Sequence, residues 1–159
     1  MSNLIDQIRS MLTSLEGEMN KNTVADYDNY DVTSYRISTD AGEKIADYFR
    51  VREFRCKDGS DVVFIGRMLL NVLDDVRKNL GVTSITSGYR TISYNAKIDG
   101  AASKSKHCMG IAADIKVSGK TPKEVYDYLN KKYPNTFGIG LYDTFVHIDT
   151  RPERSRWNG

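Results

Sequence analysis

The chain has 159 residues, 40% of them hydrophobic and 28% charged, with a formal net charge of +2. That is enough for one domain with a real core and too few for two comfortable ones. Charges of both signs are interspersed and no basic block could neutralise several phosphates, so no nucleic-acid partner is expected. Two cysteines, Cys56 and Cys108, are too few for a disulfide framework and read as free thiols. No apolar run approaches the ~20 residues of a membrane span, so no stable membrane insertion is expected. Met1 is followed by polar residues without a signal-peptide pattern, which places the chain in the cytoplasm when synthesised.

Leu4, Ile5, Ile8, Met11, Leu12, Leu15 and Met19 recur at helical spacing behind Asn3, which predicts an amphipathic helix. It can pack on the main domain, self-associate or dock a protein partner. Val24 to Tyr35 is acidic and aromatic and reads as an irregular segment. Asp26, Asp28 and Asp31 crowd there without the spacing of a calcium loop. Residues 1–48 are taken as an appendage and residues 49–159 as the main domain.

Tyr48 to Phe54 alternates apolar and charged residues and predicts a short extended segment, followed by a turn centred on Asp58-Gly59. A long core helix is predicted from Val62 to Leu80, capped by Ser60 or Asp61. Phe64, Ile65, Met68, Leu69, Val72, Leu73, Val76 and Leu80 form its apolar face, and Gly81 ends it as a left-handed cap. Val82 to Thr86 is β-branched and predicts a strand leading to Ser87-Gly88-Tyr89-Arg90. Ile92 to Ile98 predicts a short helix. After the segment that carries Asp114, Thr121-Pro122-Lys123-Glu124 is a capping box that starts another helix, stopped by Pro134. Phe137–Tyr142 and Phe145–Thr150 predict a hairpin turning at Asp143-Thr144. The tail from Arg151 is basic and carries Trp157.

Both histidines of the chain stand in carboxylate-bearing patterns: Ser105-x-His107-x-x-Gly110-x-Ala112-x-Asp114, then His147-x-Asp149. Two imidazoles and one carboxylate, with a fourth position left for water, is the usual donor set of a hydrolytic zinc centre. His107, Asp114 and His147 are therefore the expected metal ligands. In a strand His147 and Asp149 share a face, so Asp149 either orients an imidazole or acts as a base. Cys108 is not expected to ligate, because adjacent residues of an extended segment point to opposite faces. Arg90, at the tip of a strand, could pair two-handed with a carboxylate.

These motifs resemble the M15 family of zinc D-Ala-D-Ala metallopeptidases, which share a metal-binding fold with Hedgehog N-terminal domains. The resemblance rests on the Ser105-to-Asp114 signature, on Ser87-Gly88-Tyr89-Arg90 with Tyr94-Asn95, and on Gly138-Ile139-Gly140-Leu141-Tyr142 leading to Phe145-Val146-His147-Ile148-Asp149. The Glu53-to-Asp61 stretch and the Arg156-Trp157 ending are similar to a branch found among phage and prophage lytic enzymes. The resemblance covers about residues 49 to 157.

It implies an α+β fold: a small, mostly antiparallel sheet with packed helices and a zinc cleft. It implies zinc on His107, Asp114 and His147, and peptidoglycan peptides as substrates, cut next to a D-amino acid by carboxypeptidase or endopeptidase action. Such an enzyme reaches the cell wall after lysis-linked release or as part of a virion. Arg90 is implied as anchor for a substrate carboxylate or steadier of the oxyanion, with Ser105 and Tyr89 as further substrate contacts and Tyr89 or Tyr142 as phenolic donors. Many members carry an acidic residue or a histidine two to six positions before the last histidine ligand. Here only Asp143 is acidic, so the base is Asp149, the first choice on strand parity, or Asp143. The alternative function is an inactive zinc module that binds wall peptide or a phage structural partner.

Overall fold

The computed structural model describes residues 4–8 and 30–159. Strands β1 (Val32–Arg36) and β2 (Val62–Gly66) pair antiparallel in a small sheet. The larger sheet contains β3 (Thr83–Ser87), β4 (Ala112–Val117), β5 (Gly138–Leu141), β6 (Val146–Asp149) and β7 (Ser155–Asn158), in the spatial order β3-β4-β6-β5-β7. Its neighbours are antiparallel except β5 and β7, which run parallel. Helices α1 (Ile37–Asp40), α2 (Arg67–Leu80), α3 (Ile92–Asn95) and α4 (Pro122–Lys132) and two 3-10 turns, Val51–Phe54 and Lys106–Met109, complete the α+β architecture.

The period-two rule divides the large sheet into two faces. Ala113, Ile115, Ile139, Val146 and Ile148 point one way and are buried in the same core as Leu69, Leu73 and Val76 of α2 and Val125 and Leu129 of α4. Ala112, Asp114, Gly138, Gly140, His147 and Asp149 take the opposite parity, and this face holds the polar groups. α4 starts at the expected capping box, with Thr121 accepting from Glu124 N–H, Glu124 accepting from Thr121 N–H, and Pro122 in the first turn.

Several expectations are corrected. The long helix from Val62 begins at Arg67 instead. Val62, Val63, Phe64 and Ile65 are β-branched or aromatic and pair with β1, and Gly66 marks the switch to helix. Asp61 therefore caps no part of α2; its carboxylate accepts the Ser38 N–H at 2.7 Å. Met68 is half exposed because the helical register now starts at Arg67. Gly81 has φ 132° and ψ −169°, outside the left-handed helical region, so the chain leaves α2 extended. The predicted extended segment at Tyr48–Phe54 closes into a 3-10 turn in which Glu53 accepts from Arg50 N–H. α3 stops at Asn95, short of Ile98.

The end of the segment expected to be irregular, Val32 to Tyr35, forms β1 together with Arg36, and Val32 and Ile45 are buried in the common core. Residues 4–8 are helical and Ile8 joins the core. The rest of the predicted N-terminal helix and the Asp26–Asp28 cluster lie outside the described residues. No helix among the described residues is long and apolar enough to cross a membrane.

Candidate metal centre

β4 and β6 pair so that Asp114 and His147 are direct cross-strand partners. Ser87 of β3 stands opposite Asp114 on its other side, Gly140 opposite His147, and Trp157 of β7 opposite Gly140. The site is thus one row across the sheet: Ser87, Asp114, His147, Gly140, Trp157. His107 reaches this row from the 3-10 turn Lys106–Met109, not from an extended segment as expected. Ser105 caps that turn, its hydroxyl accepting from His107 N–H at 3.3 Å. Gly110 ends it at φ 74°, and a Cβ there would overlap the Phe64 carbonyl, so the turn needs glycine both for its backbone and for its fit.

The three expected ligands are buried, and one donor atom of each lies within 4.8 Å of the others. Asp114 Oδ1 is 3.3 Å from His107 Nε2 and 3.0 Å from His147 Nδ1. A tetrahedral ion with bonds of ~2.0–2.2 Å holds its donors roughly 3.3–3.6 Å apart, so the donor set fits a metal ion in chemistry and in spacing. The outer atoms are fixed. His107 Nδ1–H donates to the Gly88 carbonyl at 2.7 Å, which leaves Nε2 with its lone pair toward Asp114. His147 Nε2–H donates to Asp149 Oδ2 at 2.8 Å, which leaves Nδ1 facing inward. Arg90 Nη2 holds the second oxygen of Asp114 at 3.3 Å, and Arg90 Nε donates to Ser87 Oγ at 3.0 Å.

Charge follows this wiring. Burial depresses the His107 pKa, and the contact with Asp114 only partly offsets it, so this imidazole is neutral as a ligand must be. Burial would also depress His147, but Asp114 and Asp149 on its two sides outweigh burial and raise it. Burial works against both carboxylates as well, yet Asp114 is held far below the usual carboxylate range by the two histidines, and Asp149 by His147 and Arg151. Cys108 is pushed up to about 11, chiefly by burial, and its Sγ lies 3.9 Å from the Thr91 carbonyl, so the group beside His107 is a thiol outside the donor cluster.

Asp149 shares the face of His147, as strand parity predicts, but its surroundings do not suit a base that must meet water. It has no exposed surface. Its Oδ1 accepts from Arg151 N–H at 3.2 Å and from Arg151 Nε at 2.7 Å, and its Oδ2 from Arg151 Nη2 at 2.7 Å and from His147 Nε2 at 2.8 Å. These contacts with His147 and Arg151 match the orienting alternative. Asp143 is exposed in the β5–β6 turn, three residues beyond Gly140, the partner of His147, or ~10 Å along a strand. Tyr89 is buried, its ring edge-on to Phe64 at 5.3 Å between centroids. Tyr142 stacks on Phe145 at 4.4 Å and accepts the indole N–H of Trp157 at 3.0 Å.

Two residues of the site went unassigned in the sequence. Arg151 completes a chain of contacts through Asp149 to His147. Trp157 lies 5.1 Å from the His147 ring between centroids, with the Arg151 guanidinium 5.4 Å from its own. The glycines of Gly138-Ile139-Gly140 make room for both: a Cβ on Gly138 would lie 2.5 Å from Asp149 Oδ2, and one on Gly140 2.5 Å from the indole. That pair of glycines, spaced two apart in a strand, was the available signal that something large covers this face.

The family model described as Peptidase M15 matches residues 47–149. The chain belongs to the peptidase M15 family. No significant match was found among curated proteins or among solved structures. The match spans the whole cluster of this M15 peptidase, from the Val51–Phe54 turn through His107 and Asp114 to His147 and Asp149.

Proposed function

We propose that this M15 peptidase is a zinc enzyme that hydrolyses stem or cross-link peptides of peptidoglycan next to a D-amino acid, on a Hedgehog/DD-peptidase-like cleft. The observation that carries the reading is the buried His107–Asp114–His147 cluster, whose inward lone pairs are set by Gly88, Arg90 and Asp149. Bound zinc supplies Lewis acidity at a scissile carbonyl and lowers the pKa of water. Arg90 keeps the Asp114 carboxylate turned toward the histidines, and its Nη1, which has no hydrogen bond among the described residues, stays available to a substrate oxygen.

In this reading Asp149 is a positioning residue. Asp143 is then the acidic residue of the hairpin that water reaches, and it serves as base only if the β5–β6 turn carries it the ~10 Å to the cluster. The Glu53-to-Asp61 stretch and the Arg156-Trp157 ending support a phage or prophage lytic enzyme that meets the wall after lysis or from a virion.

Metal analysis should give about one zinc per chain, lost in His107→Ala. Purified peptidoglycan digested with the zinc-loaded protein should release new amino termini or D-alanine by mass spectrometry. Intact peptides in that digest would leave the other reading, a zinc module that only binds wall peptide or a phage structural partner. Asp143→Asn should lose turnover and keep zinc affinity. An Asp143→Asn protein with full turnover removes Asp143 from the mechanism.

A further inference from the structure

The end of β3 builds a second feature beside Arg90. Tyr89 N–H donates to the Phe54 carbonyl at 2.9 Å, which clamps the Ser87–Arg90 turn to the segment leaving the Val51–Phe54 turn. Gly88 permits this approach, since a Cβ there would lie 2.8 Å from Phe54 Cα. Beside this clamp lies a cavity of about 180 Å³, lined among others by Glu53, Arg55, Lys57, Arg90 and Tyr94. None of the three cluster residues lines it. Arg90 is shared, reaching Asp114 with one nitrogen and bordering the cavity.

Three cations and one carboxylate face this space. The carboxylate, Glu53, is turned to the backbone N–H of Arg50 at 2.7 Å. Arg55 and Lys57 are exposed and make no ion pair among the described residues. Arg90 has its counter-charge in Asp114, whereas Arg55 and Lys57 have none among the described residues, so the cavity carries an excess of positive charge that favours an anion. The volume is below the ~300–1,000 Å³ of drug-sized sites, so the cavity suits one residue-sized end of a longer ligand. Arg90 borders both the cluster and the cavity, so a peptide that lies over the cluster and extends past Arg90, at ~3.3–3.6 Å per residue, reaches the cavity.

We infer that Arg55 and Lys57 form a carboxylate-recognition site that holds a free carboxylate of the substrate peptide past Arg90 from the bond presented at the cluster. The inference rests on the peptidase reading and adds which peptides are preferred: acidic ones, with Arg55 and Lys57 as specificity residues distinct from Arg90.

The test uses the zinc-loaded chain and three forms of one peptide: L-Ala-D-isoglutamyl-L-Lys-D-Ala-D-Ala, its C-terminal amide, and its isoglutamine counterpart. Affinity is read as Kd by titration calorimetry where the peptide stays intact, and as KM where it is cut. One of the two amidations should weaken affinity about tenfold, as loss of a charge-assisted contact does, and Arg55→Ala/Lys57→Ala should erase that difference while zinc content and circular dichroism stay unchanged. Lys57→Glu should disfavour the free-carboxylate form further. If amidation matters equally in the wild type and in the double variant, or matters in neither, the site is wrong. Discrimination without any cleavage would sink the hydrolytic reading and leave this site standing, whereas cleavage without discrimination does the reverse.

Discussion

At the scale of single residues, the cluster is set by what lies behind each ligand. His107 is locked by a backbone carbonyl, Asp114 by Arg90, and His147 by Asp149, which is itself held by Arg151. Partners of this kind typically change metal affinity by about 10–100-fold when replaced. Asp149→Asn should therefore weaken zinc binding by about that factor with all three ligands in place, measured by competition with a chromophoric chelator. Unchanged affinity would show that the Asp149–His147 contact has no orienting role. The three candidate ligands were legible in the sequence, because both histidines and their spacing to carboxylates are local facts. Arg151 was not, since a basic residue in a basic tail carries no sign of the buried carboxylate it meets.

Elements show how packing selects between readings that periodicity leaves open. The run Val62–Ile65 continues the apolar face of a helix as well as it makes a strand; pairing with β1 decides for the strand. The tail after Arg151 becomes β7 because Arg156 ties it down, donating to Asn130 Oδ1 at 2.7 Å and to the carbonyls of Tyr133 at 2.6 Å and Phe137 at 2.7 Å. Arg156→Ala should cost about 2 kcal/mol or more through these charged hydrogen bonds, and should red-shift Trp157 emission as β7 loosens. A stable variant with unshifted emission would mean β7 is held by its pairing with β5 alone. Between α2 and α4, Tyr128 donates to Asp75 at 2.7 Å. Burial first, then this partner, raises the Tyr128 pKa to about 12. A raised folded value gives stability that is fully present below ~10, the ordinary tyrosine pKa. That stability is lost as pH rises toward 12. In Tyr128→Phe, denaturant midpoints should lose part of their fall across that alkaline window; an identical fall would exclude the contact as its source.

For the whole molecule, residues 4–8 and 32–36 belong to the body of the fold as far as packing goes. Ile8 and Val32 are buried with α2 and β4 residues in one core. Ile8→Ala should destabilise by about 2–4 kcal/mol, seen as a lower urea midpoint with zinc stoichiometry intact; a change within error would place the first helical turn outside the cooperative unit. Sequence alone determined the donor types and local elements: His107, Asp114 and His147 in carboxylate-bearing patterns, Arg90 beyond a strand end, the capping box of α4 and the β5–β6 hairpin, while the α+β class came from the family resemblance. Each depends on neighbours within a few residues, where spacing and propensity act directly. Only the tertiary structure decided which groups meet. The row from Ser87 through Asp114, His147 and Gly140 to Trp157 joins four hydrogen-bonded strand pairs, one of them parallel. Side-chain parity puts a residue on a face, but register and strand order, which are non-local, choose its partner. The same holds for Asp149: its face could be read from period two, whereas its place behind His147, sealed by Arg151, required the fold.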